Sequence, residues 1–227
     1  MTLHHVDIVF QLIVFLFAIS FHESAHAWMA NRCGDPTARM LGRITLNPIK
    51  HIDPVGTILL PLIALVTGFP MLGWAKPTPV NPNNFRNPVG DDILTSVVGP
   101  ISNFVIAIGA LTLLAMISFS SPLGRQIVIG MQIGFGGAVP DSVLVPLTLF
   151  LYELMSINIV LGIFNLIPVP PLDGSHVLRH FLSDSARRAY DTAGWLGLLV
   201  LVYFGGGLLG RLIYPVIGLF KYILIRY

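Results

Sequence analysis

The sequence predicts an all-α integral membrane protein, a helical bundle of several spans, and three observations carry that expectation. Of its 227 residues, 54% are hydrophobic and only 11% are charged, with a mean hydropathy of +0.79. Apolar runs long enough to cross a hydrocarbon core of roughly 30 Å recur along the chain. No polar, charged stretch is long enough for a soluble accessory domain, so the chain reads as one membrane domain over 1–227. Its core is expected at about 6–182, followed by a C-terminal membrane region at about 194–225. The formal charge of +2 makes no case for nucleic-acid binding. The single cysteine, Cys33, excludes an internal disulfide and reads as a small buried residue.

The first span is expected from about Val6 to Ala30, ending at Asn31-Arg32-Cys33-Gly34-Asp35-Pro36, because glycine followed by proline stops a helix. This segment lacks the basic region and small-residue cleavage site of a secretory signal, so it is expected to be retained. Residues 32–53 form a polar loop with Arg32, Arg39, Arg43 and Lys50, a basic cluster that favours the cytoplasmic side. A second apolar piece, Val55 to Leu72, is short and interrupted by Pro61, Gly68 and Pro70. From Gly73 to Pro88 the density of proline rules out a helix and favours extended chain or turns. Two long spans are expected at Ile93–Ser118 and Val143–Ile167, with a glycine-rich, ambiguous stretch at 119–142 between them. The last apolar region, Trp195 to Ile225, is interrupted by Gly205-Gly206-Gly207, Arg211 and Pro215 and reads as one helix or two.

Inside the first span lies His22-Glu23-Ser24-Ala25-His26. Residues four apart share a helix face, so His22 and His26 can hold one zinc ion with Glu23 beside it as general base. The chain has seven histidines but only two glutamates, Glu23 and Glu153, so the pattern is unlike a product of composition. The plain alternatives are a pair of hydrogen-bonded core histidines, or a heme-type or transport site. At membrane depth, however, ionisable side chains are costly and usually functional.

A catalytic zinc site generally has three protein ligands and a position for water. The candidates for the third are Asp173, His176, His51, Asp53, Glu153 and His180. Asp173 is preferred, because it follows a long apolar span and is flanked by prolines and Gly174. Its alternative role is as N-cap of a short helix beginning near Ser175. His51 and Asp53 are expected to shape a turn, His176 to orient Asp173 or lie on a helix surface, and His4 and His5 to be solvated. Asn103 and Asn165 lie in apolar spans, where interhelical hydrogen bonding is the ordinary role of an amide. The sharper reading makes Asn165 a donor to the oxyanion of a hydrolysed peptide.

Topology ties these together. If the first span ends in the cytoplasm, Asp173 reaches the same depth only when the span ending at Ile167 also runs inward. The piece 55–72 must then be re-entrant, which irregular backbone permits when it lines a cavity. Arg179, Arg187 and Arg188 agree with a cytoplasmic location beyond Asp173.

Taken in order, the zinc motif with Ala27, Gly34-Asp35-Pro36-Thr37-Ala38, Gly42-Arg43-Ile44-Thr45-Leu46-Asn47-Pro48, Gly73-Trp74-Ala75-Lys76-Pro77, Gly99-Pro100-x-x-Asn103, Phe164-Asn165-Leu166-Ile167-Pro168 and Pro171-Leu172-Asp173-Gly174 resemble the site-2 protease family of intramembrane zinc metalloproteases. The likeness is to its small prokaryotic form without PDZ or CBS domains. The resemblance implies one zinc ion per chain on His22, His26 and Asp173, with Glu23 activating water. It also implies an oxyanion or substrate role for Asn165 and a structural or substrate contact for Asn103. A membrane-associated β-hairpin is implied over about Gly73 to Phe85. The expected partners are the lipid bilayer and single-span membrane-protein substrates, in a prokaryotic cytoplasmic membrane with the active site toward the cytoplasm. Two other functions fit a buried zinc site, a zinc carrier and a non-catalytic membrane adaptor. A carrier has no need of Glu23, and an adaptor needs a closed four-ligand site.

Overall fold

The computed structural model describes residues 3–67, 74–136 and 139–226. Among them the chain is helical, without a strand. In order it forms α1 (Leu3–Cys33), a four-residue α2 (Thr37–Met40), a 3-10 turn at Pro48–Lys50, a π-helical turn at Pro54–Leu59 and α3 (Leu60–Thr67). A 3-10 turn at Pro82–Asn84 precedes α4 (Pro88–Ser120), α5 (Pro122–Ile133), α6 (Leu144–Asn165), α7 (Asp173–Arg179), α8 (Asp184–Phe204) and α9 (Gly206–Arg226). Four of these, α1, α4, α6 and α9, are long and apolar enough to cross a membrane.

Local chemistry sets the boundaries. The first span runs three residues beyond Ala30, to Cys33, where Gly34 takes φ 112°. That left-handed conformation suits glycine, and it lets the Asp35 N–H return to the Ala30 carbonyl at 2.9 Å. The ambiguous 119–142 stretch contains a true helix, α5, because Ser121 caps it through the Gly124 N–H at 3.0 Å and Pro122 occupies its first turn. The C-terminal apolar region is two helices, parted at Gly205. Of the 55–72 piece, residues up to 67 form the π-helical turn and α3, and 68–72 lie outside the described residues.

The expected β-hairpin over about Gly73 to Phe85 does not form among the described residues. Residues 74–81 form neither helix nor strand. Pro77, Pro79 and Pro82 have no N–H to give a ladder. Two of the other donors go to a helical turn and a loop: Trp74 N–H to the Gly56 carbonyl at 3.3 Å, and Lys76 N–H to the His51 carbonyl at 2.9 Å. Gly73 itself lies outside the described residues.

Two compact units emerge, one of Met1–Phe15, Asn103–Phe164 and Val200–Tyr227, the other of Leu16–Ser102 and Asn165–Leu199. In the first, Ala107, Ala110 and Leu114 of α4 join Val128 of α5, Leu151, Met155 and Ile159 of α6 and Leu224 of α9 in one buried cluster. Small alanines permit close helix approach, which matters in lipid, where tails are as apolar as leucine. Buried Asn103 donates to Asn158 Oδ1 at 2.8 Å, so the ordinary reading of that amide, a bond between helices, holds.

In the second unit, Asp35 binds the chain together after α1. Its buried carboxylate accepts from Thr37 N at 3.1 Å, Thr37 Oγ1 at 2.5 Å, Asn81 N at 2.7 Å and Asn84 Nδ2 at 2.8 Å. Burial alone raises such a carboxyl, and these donors outweigh it and hold Asp35 below the ordinary carboxylate range. The turn after α1 is thereby fastened to the end of the proline-rich stretch.

Candidate metal centre

The second unit contains every residue of the cluster. α1 carries His22 and His26 on one face, both buried, about 10 Å short of the helix end by the helical rise. Asp173 comes from the opposite part of the chain, as the first residue of α7. The turn that delivers it is firmly set. Tyr190 of α8 donates to the Pro168 carbonyl at 2.9 Å. A Cβ on Gly174 would lie 2.2 Å from the Leu166 carbonyl oxygen, so only glycine allows α7 to start so close to the end of α6. The N-cap position is taken by Leu172, which removes the capping alternative for Asp173.

The three donor atoms converge. His22 Nε2 and His26 Nε2 are 3.0 Å apart, and Asp173 Oδ2 is 3.1 Å from the first and 3.4 Å from the second. Ligands of a tetrahedral zinc ion at about 2.0–2.1 Å are separated by about 3.3 Å, so the triangle has the size such an ion requires. Among the described residues this is the one group of three histidine, cysteine or carboxylate side chains able to share a metal. His26 Nδ1 lies 2.6 Å from the Thr95 carbonyl oxygen. A carbonyl only accepts, so Nδ1 carries the proton and Nε2 presents its lone pair to the other donors.

Glu23 follows His22 and is tied to the proline-rich stretch. Its Oε2 accepts the Thr78 N–H at 2.8 Å, and Thr78 Oγ1 donates to the Glu23 carbonyl at 3.0 Å. One carboxylate oxygen is thereby fixed, and with it the orientation of the group.

The other sequence candidates fall elsewhere. His51 is fully buried with Nε2 2.9 Å from the Thr45 carbonyl, and Asp53 caps the π-helical turn through Val55 and Gly56 N–H, so both shape the loop as expected. His176 and His180 pair with Asp92. Glu153 sits within α6 in the first unit. Asn165 closes α6, partly buried.

Sequence reading missed Thr78, Thr95 and the steric role of Gly99. A Cβ on Gly99 would stand 2.3 Å from His26 Nε2 and 2.7 Å from His22 Cε1. Contacts under 3 Å force something to move, and His26 is held by Thr95. Gly99→Ala is therefore expected to lower both bound metal and activity about tenfold or more. Gly109→Ala, with open space around it on the same helix, leaves both unchanged. Metal analysis by mass spectrometry of the two purified variants checks this.

Fold and cluster together define a class: multi-pass helical membrane proteins with a His-Glu-x-x-His pair and a distant carboxylate joined at one buried point. The profile of Peptidase family M50 matches residues 10–204. "Putative zinc metalloprotease YwhC" of Bacillus subtilis is 36% identical over 210 residues, covering 92% of this chain and 85% of that protein. "Putative zinc metalloprotease Rip2" of Mycolicibacterium smegmatis is 29% identical over 199 residues, 86% of this chain and 66% of its own length. The protein of that name in Mycobacterium tuberculosis is 26% identical over 196 residues, again covering 86% of this chain and 66% of its own. No solved structure matches. The chain belongs to peptidase family M50, the site-2 protease family, and is a metalloprotease.

Proposed function

We propose that this protein is an intramembrane zinc protease that hydrolyses peptide bonds within or near the transmembrane segments of single-span membrane proteins. The observation that carries this reading is the convergence of the Asp173 carboxylate with His22 and His26 of an apolar span, where Glu23 is the next residue after His22. Two imidazoles and a carboxylate are a donor set suited to catalytic zinc. The relatives' names support the same metal.

When bound, zinc supplies a Lewis acid that acidifies water and polarises the scissile carbonyl. His22, His26 and Asp173 hold it, and the Thr95 carbonyl keeps His26 in the tautomer that can ligate. Glu23 accepts the proton of the attacking water and passes it to the departing amine nitrogen. Thr78 aims the Glu23 carboxylate through its backbone N–H. Asn165 is assigned to the oxyanion that develops on the scissile carbonyl, and Asn103 to a structural bond. A helical substrate hides its carbonyls, so it unwinds before cleavage, most readily where Gly, Pro or Asn weaken the helix.

The topology of this reading puts the site toward the cytoplasmic side of a prokaryotic cytoplasmic membrane. Arg32 in the last turn of α1, Arg39, Arg43 and Lys50 beyond it, and Arg179, Arg187 and Arg188 beyond α6 support it by the positive-inside rule. The segment of α3 is then re-entrant, and the chain acts as one catalytic domain.

The test is co-reconstitution of the full chain in vesicles with tagged single-span proteins whose spans contain Gly, Pro or Asn. Mass spectrometry is expected to place new termini within or beside the span, with product formation stopped by chelation and restored by zinc. Cleavage confined to soluble loops, or unaffected by chelation, would contradict the reading.

A further inference from the structure

Outside the metal cluster the second unit holds another group of ionisable side chains that the mechanism above does not use. Asp92, on the first part of α4, accepts from His180 Nε2 at 2.7 Å through Oδ2 and stands 3.5 Å from His176 Nδ1 through Oδ1. The carboxylate side chain is 13% exposed. Both histidines belong to α7 or the residue directly after it, and α7 begins with Asp173.

The position of Asp92 on α4 gives the contact its meaning. Asp92, Thr95 and Gly99 are spaced three and four residues apart and so share one helical face. Thr95 offers its carbonyl to His26, and Gly99 gives the two imidazoles room. Asp92, one turn earlier, grips the helix that presents the third donor. A single face of α4 thus touches the supports of the donors from both other helices. Groups that orient metal ligands from behind are a regular part of such sites, and their loss commonly costs 10–100-fold in metal affinity.

We propose that Asp92 is a positioning residue for the metal centre: by holding His180, with His176 beside it, it fixes α7 and so sets where the Asp173 carboxylate meets His22 and His26. This inference rests on the zinc reading above, but it concerns a side chain that touches neither metal nor substrate. An ionised carboxylate accepts on both oxygens, whereas an asparagine accepts on one and turns N–H groups toward the other imidazole. Asp92→Asn therefore keeps size and shape but leaves one neutral oxygen to serve two imidazoles, which weakens the grip.

The experiment measures zinc affinity by chelator competition and the visible absorption of the cobalt-substituted protein, on full-length chain in detergent, well below the melting temperature. Wild type is expected to bind zinc, Asp92→Asn to bind it about 10–100-fold more weakly with an altered cobalt band, and His180→Gln to do the same to a lesser degree. The double variant is expected to lose no more than Asp92→Asn alone, because both changes break one connection. Losses that multiply in the double variant would overturn the proposal. So would zinc affinity and a cobalt spectrum unchanged in both single variants while wild type binds metal normally. Should Asp92→Asn fail to fold, the result rests on His180→Gln, where unchanged affinity and spectrum overturn the proposal. Wild type that binds neither ion would instead bring down the zinc reading, and this inference with it.

Discussion

Glu23→Gln is expected to lower peptide-bond cleavage about 10²–10⁴-fold, the range over which a positioned general base acts, while bound zinc stays at the wild-type level. The geometry separates the two effects. Glutamine keeps the size of the side chain, and its amide oxygen can still accept the Thr78 N–H that Glu23 Oε2 accepts at 2.8 Å. The imidazoles of His22 and His26 are untouched, as is the 2.6 Å bond from His26 to the Thr95 carbonyl. What disappears is the basicity of the oxygen that takes the proton from water. Single-turnover cleavage of a reconstituted membrane substrate, with metal analysis of the same samples, makes the measurement. Normal turnover would remove Glu23 as general base, and loss of zinc would show that it acts on the structure of the site.

Asp173→Ala is expected to have the opposite profile, with metal and activity lost together. Its Oδ2 lies 3.1 and 3.4 Å from the two Nε2 atoms, and no other histidine, cysteine or carboxylate among the described residues can complete the group. Two imidazoles alone are a poor zinc site, so affinity should fall by more than about 100-fold, beyond the usual effect of an outer-shell group. The turn around Asp173 is held by Leu172, Gly174 and Tyr190 through contacts that do not involve its carboxylate. Melting temperature in the zinc-free state should therefore stay close to that of zinc-free wild type. Chelator competition and thermal unfolding test the two halves of this expectation.

How much of this could be read in the sequence depended on the range of the physics involved. His22 and His26 are four apart on a helix, so their juxtaposition is a local fact of helical geometry. Asp173 was selected by what surrounds it in the chain, prolines and a glycine after an apolar span, because an isolated carboxylate in that setting needs a cation. The four long spans follow from composition, whereas helix ends shifted by several residues where a cap or a left-handed glycine decided the matter, as at Ser121 and Gly34. The β-hairpin expected over about Gly73 to Phe85 came from family likeness. It failed among the described residues, where Pro77, Pro79 and Pro82 have no N–H to give and the N–H groups of Trp74, Lys76, Thr78 and Asn81 go to helices or loops, as Thr78 binds Glu23.

The supporting shell was hidden for a different reason. Thr95 acts through its backbone carbonyl and Gly99 through the absence of a side chain, so neither residue type announces its role. Asp92 looks like any acidic residue in the first turns of a helix, where the dipole favours negative charge. Only its distance to His180, 88 positions away, reveals what it holds.

The central claim concerns one ion and three donors, and zinc-edge X-ray absorption on the purified full chain tests it most directly. Wild type should show a first shell of light atoms at about 2.0–2.2 Å with the outer-shell scattering of two imidazoles, and Asp173→Ala should lose zinc. A wild-type spectrum that lacks histidine scattering, or one that Asp173→Ala reproduces at full zinc occupancy, would contradict it.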